Sequence, residues 1–157
     1  MSLAGRYFSI RDLRLHDSFN AELIGDIVQT TAFFYKISVD DTKVNVYGES
    51  DPNTSGKVFY PGIEMTVWVK REDTTTEDAN FGPDRNQSVD FMFREVSLKL
   101  VNIFPQNGDI IQFNERYYEV DNIVQDEFRG GQPDKSLSII CHTHYSRLSK
   151  LSVMERS

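Results

Sequence analysis

His142 and His144 stand two residues apart in a run of alternating character, so both imidazoles fall on one face of a strand and within reach of a single metal ion. With His16 they would make a three-imidazole zinc set. The plainer reading is a polar sheet face shared with Ser136 and Ser138, and it is the stronger one, because no second cysteine or matching carboxylate adds to the set. Cys141 beside His142 has the composition of a thiolate pair, but consecutive strand residues point to opposite faces, which keeps the thiol from the imidazole. Glu72, Asp73, Glu77 and Asp78 could gather calcium, yet the run lacks the alternating ligand spacing and central glycine of a calcium loop. Gly48, Gly82 and Gly108 open no helix after a strand and so cradle no phosphate. Phe33, Phe34, Tyr35, Tyr117 and Tyr118 could stack on bases, but without a basic groove they read as core and interface. No enzyme motif, metal or cofactor is therefore expected.

The elements that position these residues centre on residues 107–124. Asn107, Gly108 and Asp109 are turn chemistry, after which Ile111 and Phe113 fall on one face and Ile110 and Gln112 on the other. Asn114 and Glu115 make a polar turn, and Tyr118 and Val120 resume the apolar face, so the stretch predicts a β-hairpin. Toward the N-terminus, Asp17 and Ser18 can cap a helix of about three turns on which Phe19, Leu23, Ile24, Ile27 and Val28 recur at helical steps. Thr30 and Thr31 turn the propensity toward a strand over residues 33–39, and Val44 and Val46 mark another before a loop at residues 50–56.

Residues 57–62 read as a short extended piece, and Ile63, Met65, Val67 and Val69 as a strand whose second face carries Trp68. Residues 71–88 are expected to be a long polar insertion, functional or unstructured. Val89, Phe91 and Phe93 form a strand, and the shift of apolar phase to Val96, Leu98 and Leu100 calls for a bulge or a short helical turn at Arg94 and Glu95. A Gly-Gly loop over residues 126–135 then leads to a last strand with Leu137, Ile139, Cys141, Thr143 and Tyr145 on one side. The fold expected is mainly β, a single-domain antiparallel barrel or sandwich with an N-terminal amphipathic helix and long loops.

The 157 residues suit one domain with one core. No apolar run approaches the roughly 20 residues of a membrane helix, and the first residues run into Arg6 and Arg11 without a signal-like apolar stretch, so a soluble protein without membrane partners is expected. Cys141 is the single cysteine, which excludes an internal disulfide. A net charge of −7 argues against a free-standing nucleic-acid binder. The charge is unevenly placed: Arg6, Arg11 and Arg14 at one end and Arg147, Lys150 and Arg156 at the other leave residues 1–14 and 146–157 as basic candidate docking tails, with solvated ends as the simpler alternative.

Tyr47-Gly48-Glu49-Ser50, Asn80-Phe81-Gly82, the Gly108–Phe113 run and Tyr118-Glu119-Val120 follow one another in an order that resembles the neck proteins of contractile-tailed bacteriophages, the head-closure or head-tail connector proteins. The resemblance covers residues 33 to 145. It implies a β-rich virion subunit, made in the host bacterial cytoplasm, that forms a ring, expected to be a hexamer, in the neck between capsid and tail. The implied partners are copies of itself, a portal-side adaptor or neck protein, a tail-terminator protein, and viral DNA that passes through the lumen without sequence-specific binding. On that reading residues 71–88, with Glu72, Asp73, Glu77, Asp78 and Phe81, form a lumen gate or a clasp on the adjacent subunit. The alternatives are a tail-terminator or tail-completion ring and, more distantly, a metal-dependent enzyme using His142 and His144.

Overall fold

Alternation of apolar and polar residues dominates the chain, and strands dominate the computed structural model, which describes residues 10–40, 57–79, 82–128, 132–146 and 152–153. In chain order these are helix α1 (Ile10–Glu22), continued by a π-helical turn (Leu23–Val28), then β1 (Thr31–Tyr35), β2 (Ile37–Ser38), β3 (Val58–Phe59), β4 (Ile63–Thr66), β5 (Trp68–Ala79) and β6 (Gly82–Arg94). Helix α2 (Glu95–Leu100), β7 (Ile110–Phe113), β8 (Arg116–Phe128), β9 (Gln132–Ser146) and β10 (Ser152–Val153) follow. Seven strands form an antiparallel sheet in the order β4-β1-β7-β8-β9-β6-β5, and β10-β3-β2 form a second, smaller one. No helix among the described residues is long and apolar enough to cross a membrane.

The two outermost strands of the large sheet are successive pieces of one segment, separated only by Val67. β4 pairs with β1 as far as Thr31 opposite Thr66, and β5 starts its pairing with β6 at Trp68 opposite Met92. Val67 is fully buried and its N–H donates to the Thr30 carbonyl at 2.8 Å. The sheet thereby closes on itself as a barrel. Its interior takes one face from every wall strand: Phe34, Met65, Val89, Phe91, Phe93, Ile111, Tyr118, Val120, Ile139 and Cys141 form one cluster, with Leu98 of α2 joining it. Phe91 lies at the centre, edge-on to Phe113 (5.6 Å between ring centroids) and Tyr118 (5.5 Å). The small sheet covers the opposite face of β7, where Ile110 packs against Phe59.

The hairpin expected over residues 107–124 is β7–β8. Asn114 and Glu115 both take positive φ (48° and 62°), the conformation of a two-residue turn that matches the twist of its strands. Ile63, Met65, Val67 and Val69 all meet the core, as their spacing requires. The phase shift after Phe93 is a helical turn: α2 buries Leu98, exposes Val96 and Leu100, and stops where Asn102 enters the left-handed region.

Three expectations are corrected. The first helix does not start after Asp17 and Ser18 but already runs over Ile10–Glu22; Asp17 lies within it and accepts a bond from Arg94 Nη2 at 2.9 Å, so it caps nothing. Residues 71–88 are not an unstructured insertion: β5 and β6 stay paired from Arg71 opposite Asp90 to Ala79 opposite Gly82. The loop expected over residues 126–135 is likewise mostly strand, with β8 running to Phe128 and β9 starting at Gln132. Strand signals at Val44 and Val46 lie outside the described residues, as does Phe81.

Register fixes where these two long hairpins project. Ser88 of β6 lies opposite His144, near the end of β9, whereas the β8–β9 connection lies beyond Ser138, opposite Arg94. The β5–β6 ribbon therefore leaves one end of the barrel and the β8–β9 hairpin leaves the other. Arg94 leads directly into α2 and is bonded to Asp17 of α1, so both helices belong to the β8–β9 end.

Candidate functional site

Histidine chemistry comes first. On β9 the face that carries His142 and His144 is buried at Ser138 and Ile140 and opens to solvent at the two imidazoles. Each ring is taken by a different neighbouring strand. His142 Nδ1 lies 2.6 Å from Asp90 Oδ1 on β6, and His144 Nδ1 lies 2.7 Å from Asp121 Oδ1 on β8. Carboxylates from opposite sides thus orient the two imidazoles separately, and among the described residues no group of three or more His, Cys, Asp and Glu side chains is arranged to hold a metal ion. His16 is on α1, at the helical end of the barrel, away from the pair. Cys141 points into the core, where burial, with Asp109 as the lesser cause, pushes its thiol up to about 12. It is a protonated core residue across the neutral range, with the weak nucleophilicity that implies.

A buried carboxylate organises the base of the central hairpin. Asp109 is fully buried and accepts from the Ile37 N–H at 3.0 Å, the Gln106 N–H at 2.7 Å and Lys36 Nζ at 3.2 Å. Lys36 Nζ also donates to the Phe104 carbonyl at 2.6 Å. One side chain therefore joins the β1–β2 junction, the segment before β7 and β7 itself, which is a structural role. Its sequence signature is only that of a turn residue, since Asp beside Gly is as common on a loop surface as in such a cradle. Asp90 and Asp121 were equally silent: their roles depend on cross-strand register.

The β5–β6 ribbon carries the acidic residues singled out in the sequence. Glu72 is opposite Val89, Asp73 opposite Ser88, Glu77 opposite Asp84 and Asp78 opposite Pro83. Two acidic residues directly across a ladder destabilise it by about 0.2–1 kcal/mol, and a ribbon of two strands is marginal in water without a third element. At its base, Arg116 at the start of β8 donates to Gln87 at 2.9 Å. Of the basic candidate docking residues, Arg11 and Arg14 are exposed on α1, so that part of the expected N-terminal tail is helix; Arg6, Arg147, Lys150 and Arg156 lie outside the described residues.

Fold and geometry together define a small closed β-barrel with hairpin arms at both ends. Compared with known proteins, the chain matches no protein-family model and no curated relative.

Proposed function

We propose that this protein is a structural subunit of a bacteriophage neck, a ring that closes the DNA-filled head and joins it to the tail. The observation that carries the reading is the β5–β6 ribbon, which continues the barrel wall for six residue pairs, from Thr74 opposite Gln87 to Ala79 opposite Gly82, past the last pair of β6 with β9. At about 3.3 Å per residue it extends far enough to lie across a neighbouring subunit. Its register sets Glu77 opposite Asp84, and like charges across a ladder make that position one a cation of an adjacent copy suits. Arms leaving opposite ends also suit head-to-tail contact between identical subunits, the contact type that closes rings.

An acidic ribbon facing a lumen has a second use, because like charge keeps DNA from sticking as it passes. Deleting residues 74–80 tests the reading. Neck rings counted by electron microscopy, and DNA retained in purified heads, both fall if the ribbon clasps a neighbour or gates the lumen. Filled heads joined normally to tails would remove the ribbon from the account. A tail-completion ring uses the same architecture and is separated by partner: the neck subunit co-purifies with capsid-side components, the tail-completion subunit with tail tubes.

A further inference from the structure

The chain holds one Asn-Gly step, Asn107-Gly108, and the fold sets it at the base of the central hairpin. Asn-Gly is the pair in which a side-chain amide most readily reacts with its own backbone, because Gly has no Cβ to obstruct the approach. The Gly108 nitrogen gives up its proton and attacks Cγ of Asn107. The new N–Cγ bond replaces the Cγ–Nδ2 bond, and the amide nitrogen leaves as ammonia with that proton. The succinimide ring so formed takes up one water and opens at either carbonyl, leaving aspartate or isoaspartate at position 107. Water is the only co-reactant, and Asn107 is exposed to it.

The attacking atom is held. Gly108 N–H donates to the Val120 carbonyl at 2.8 Å across the hairpin, and Val120 N–H donates to the Asp109 carbonyl at 2.9 Å. The residues on either side are pinned as well: the Gln106 N–H donates to the Asp109 carboxylate at 2.7 Å, and the Asp109 N–H to the Gln106 carbonyl at 3.2 Å. We infer that Asn107 is a latent modification site, closed to succinimide formation while the base of the hairpin is paired and open to it whenever that base parts. The reaction then runs one way. Isoaspartate lengthens the main chain by one carbon between Gln106 and Gly108, whose bonds to Asp109 and Val120 leave no slack for it, so the base does not close again as before. The inference rests on the hairpin alone and is independent of the ribbon and of the neck assignment.

Peptide mass spectrometry of the full-length chain, incubated at mildly alkaline pH with and without guanidinium, is the test, with fragmentation that separates isoaspartate from aspartate. Asn107 converts in the denatured chain, and in the native protein it converts more slowly by about tenfold or more. The native rate rises through sub-denaturing guanidinium in step with hydrogen exchange at the Gly108 amide, which reports the same opening. Asp109→Ala, which removes the acceptor that pins Gln106, brings the rate toward that of the denatured chain, whereas Glu77→Ala on the ribbon leaves it unchanged. The wild-type series decides the matter by itself where Asp109→Ala does not fold. Four results overturn the inference: native conversion as fast as in the denatured chain, a native rate indifferent to exchange at Gly108, no conversion of Asn107 in guanidinium, or an isoaspartate form that keeps the wild-type melt.

Discussion

The two hairpins β7–β8 and β5–β6 are built from the same ladder and put it to opposite uses. In β7–β8 four residue pairs are enough, because both faces are covered: Ile111 and Tyr118 enter the barrel interior, Ile110 enters the cluster with Phe59, and Asp109 ties the base to β1 and β2. β5–β6 has more than twice as many pairs, and past Val89 nothing in its sequence resembles a core face. Hydrogen bonding is common to both, so it does not decide which hairpin stabilises the fold. Burial decides it, since the net gain from an exposed backbone bond is small and the gain from a covered apolar face is not.

The largest effect that separates them is at Asp109. Asp109→Ala leaves Lys36 partly buried without its counter-charge and two backbone N–H groups without an acceptor, and urea denaturation is expected to show a loss of about 3–5 kcal/mol. A substitution such as Glu77→Ala on the ribbon, by contrast, removes an unfavourable cross-strand pair and leaves stability equal or slightly higher. The next effect is a pH dependence from the core behind the hairpin. Burial holds the Cys141 thiol at about 12, above its ordinary value near 9, so the unfolded chain ionises first. That part of the stability is complete below pH 9 and is lost as pH rises from about 9 toward 12. Thiol titration at neutral pH should accordingly find no reactive group in the native protein and one per chain in denaturant.

A smaller gain is expected at the turn. Glu115→Gly relieves a side chain held at φ 62° and should raise the denaturation midpoint, corresponding to about 0.4–1 kcal/mol. The smallest change in stability belongs to the ribbon itself. Deleting residues 74–80 should leave the free energy of unfolding within about 0.5 kcal/mol of wild type, measured on the same urea curves. A loss as large as that of Asp109→Ala would show that the ribbon is part of the core and undo the contrast.

Legibility of the sequence follows the same divide. Where one face of a strand is buried, the period of two is written in the residues: Ile63, Met65 and Val67, or Ile139, Cys141 and Thr143, could be assigned to the core without coordinates. Polarity alone resembles a loop, so the sequence predicts an insertion where the structure has a ribbon; the β-branched run Thr74-Thr75-Thr76 is the available strand signal. The helix start was misplaced because Asp17 is as good a cap as it is a partner for Arg94, and only the fold chooses between them. Separation of His142 from His144 by Asp90 and Asp121 required register, which alternation does not supply.

The seam at Val67 has a mechanical consequence. Since β5 is the direct continuation of β4, and β6 runs from the ribbon into the wall beside β9, tension on the ribbon travels along strand axes into the barrel. The backbone bonds there stand perpendicular to that pull. They are loaded in shear, many sharing the force at once, so traction on the ribbon does not peel the barrel open one bond at a time.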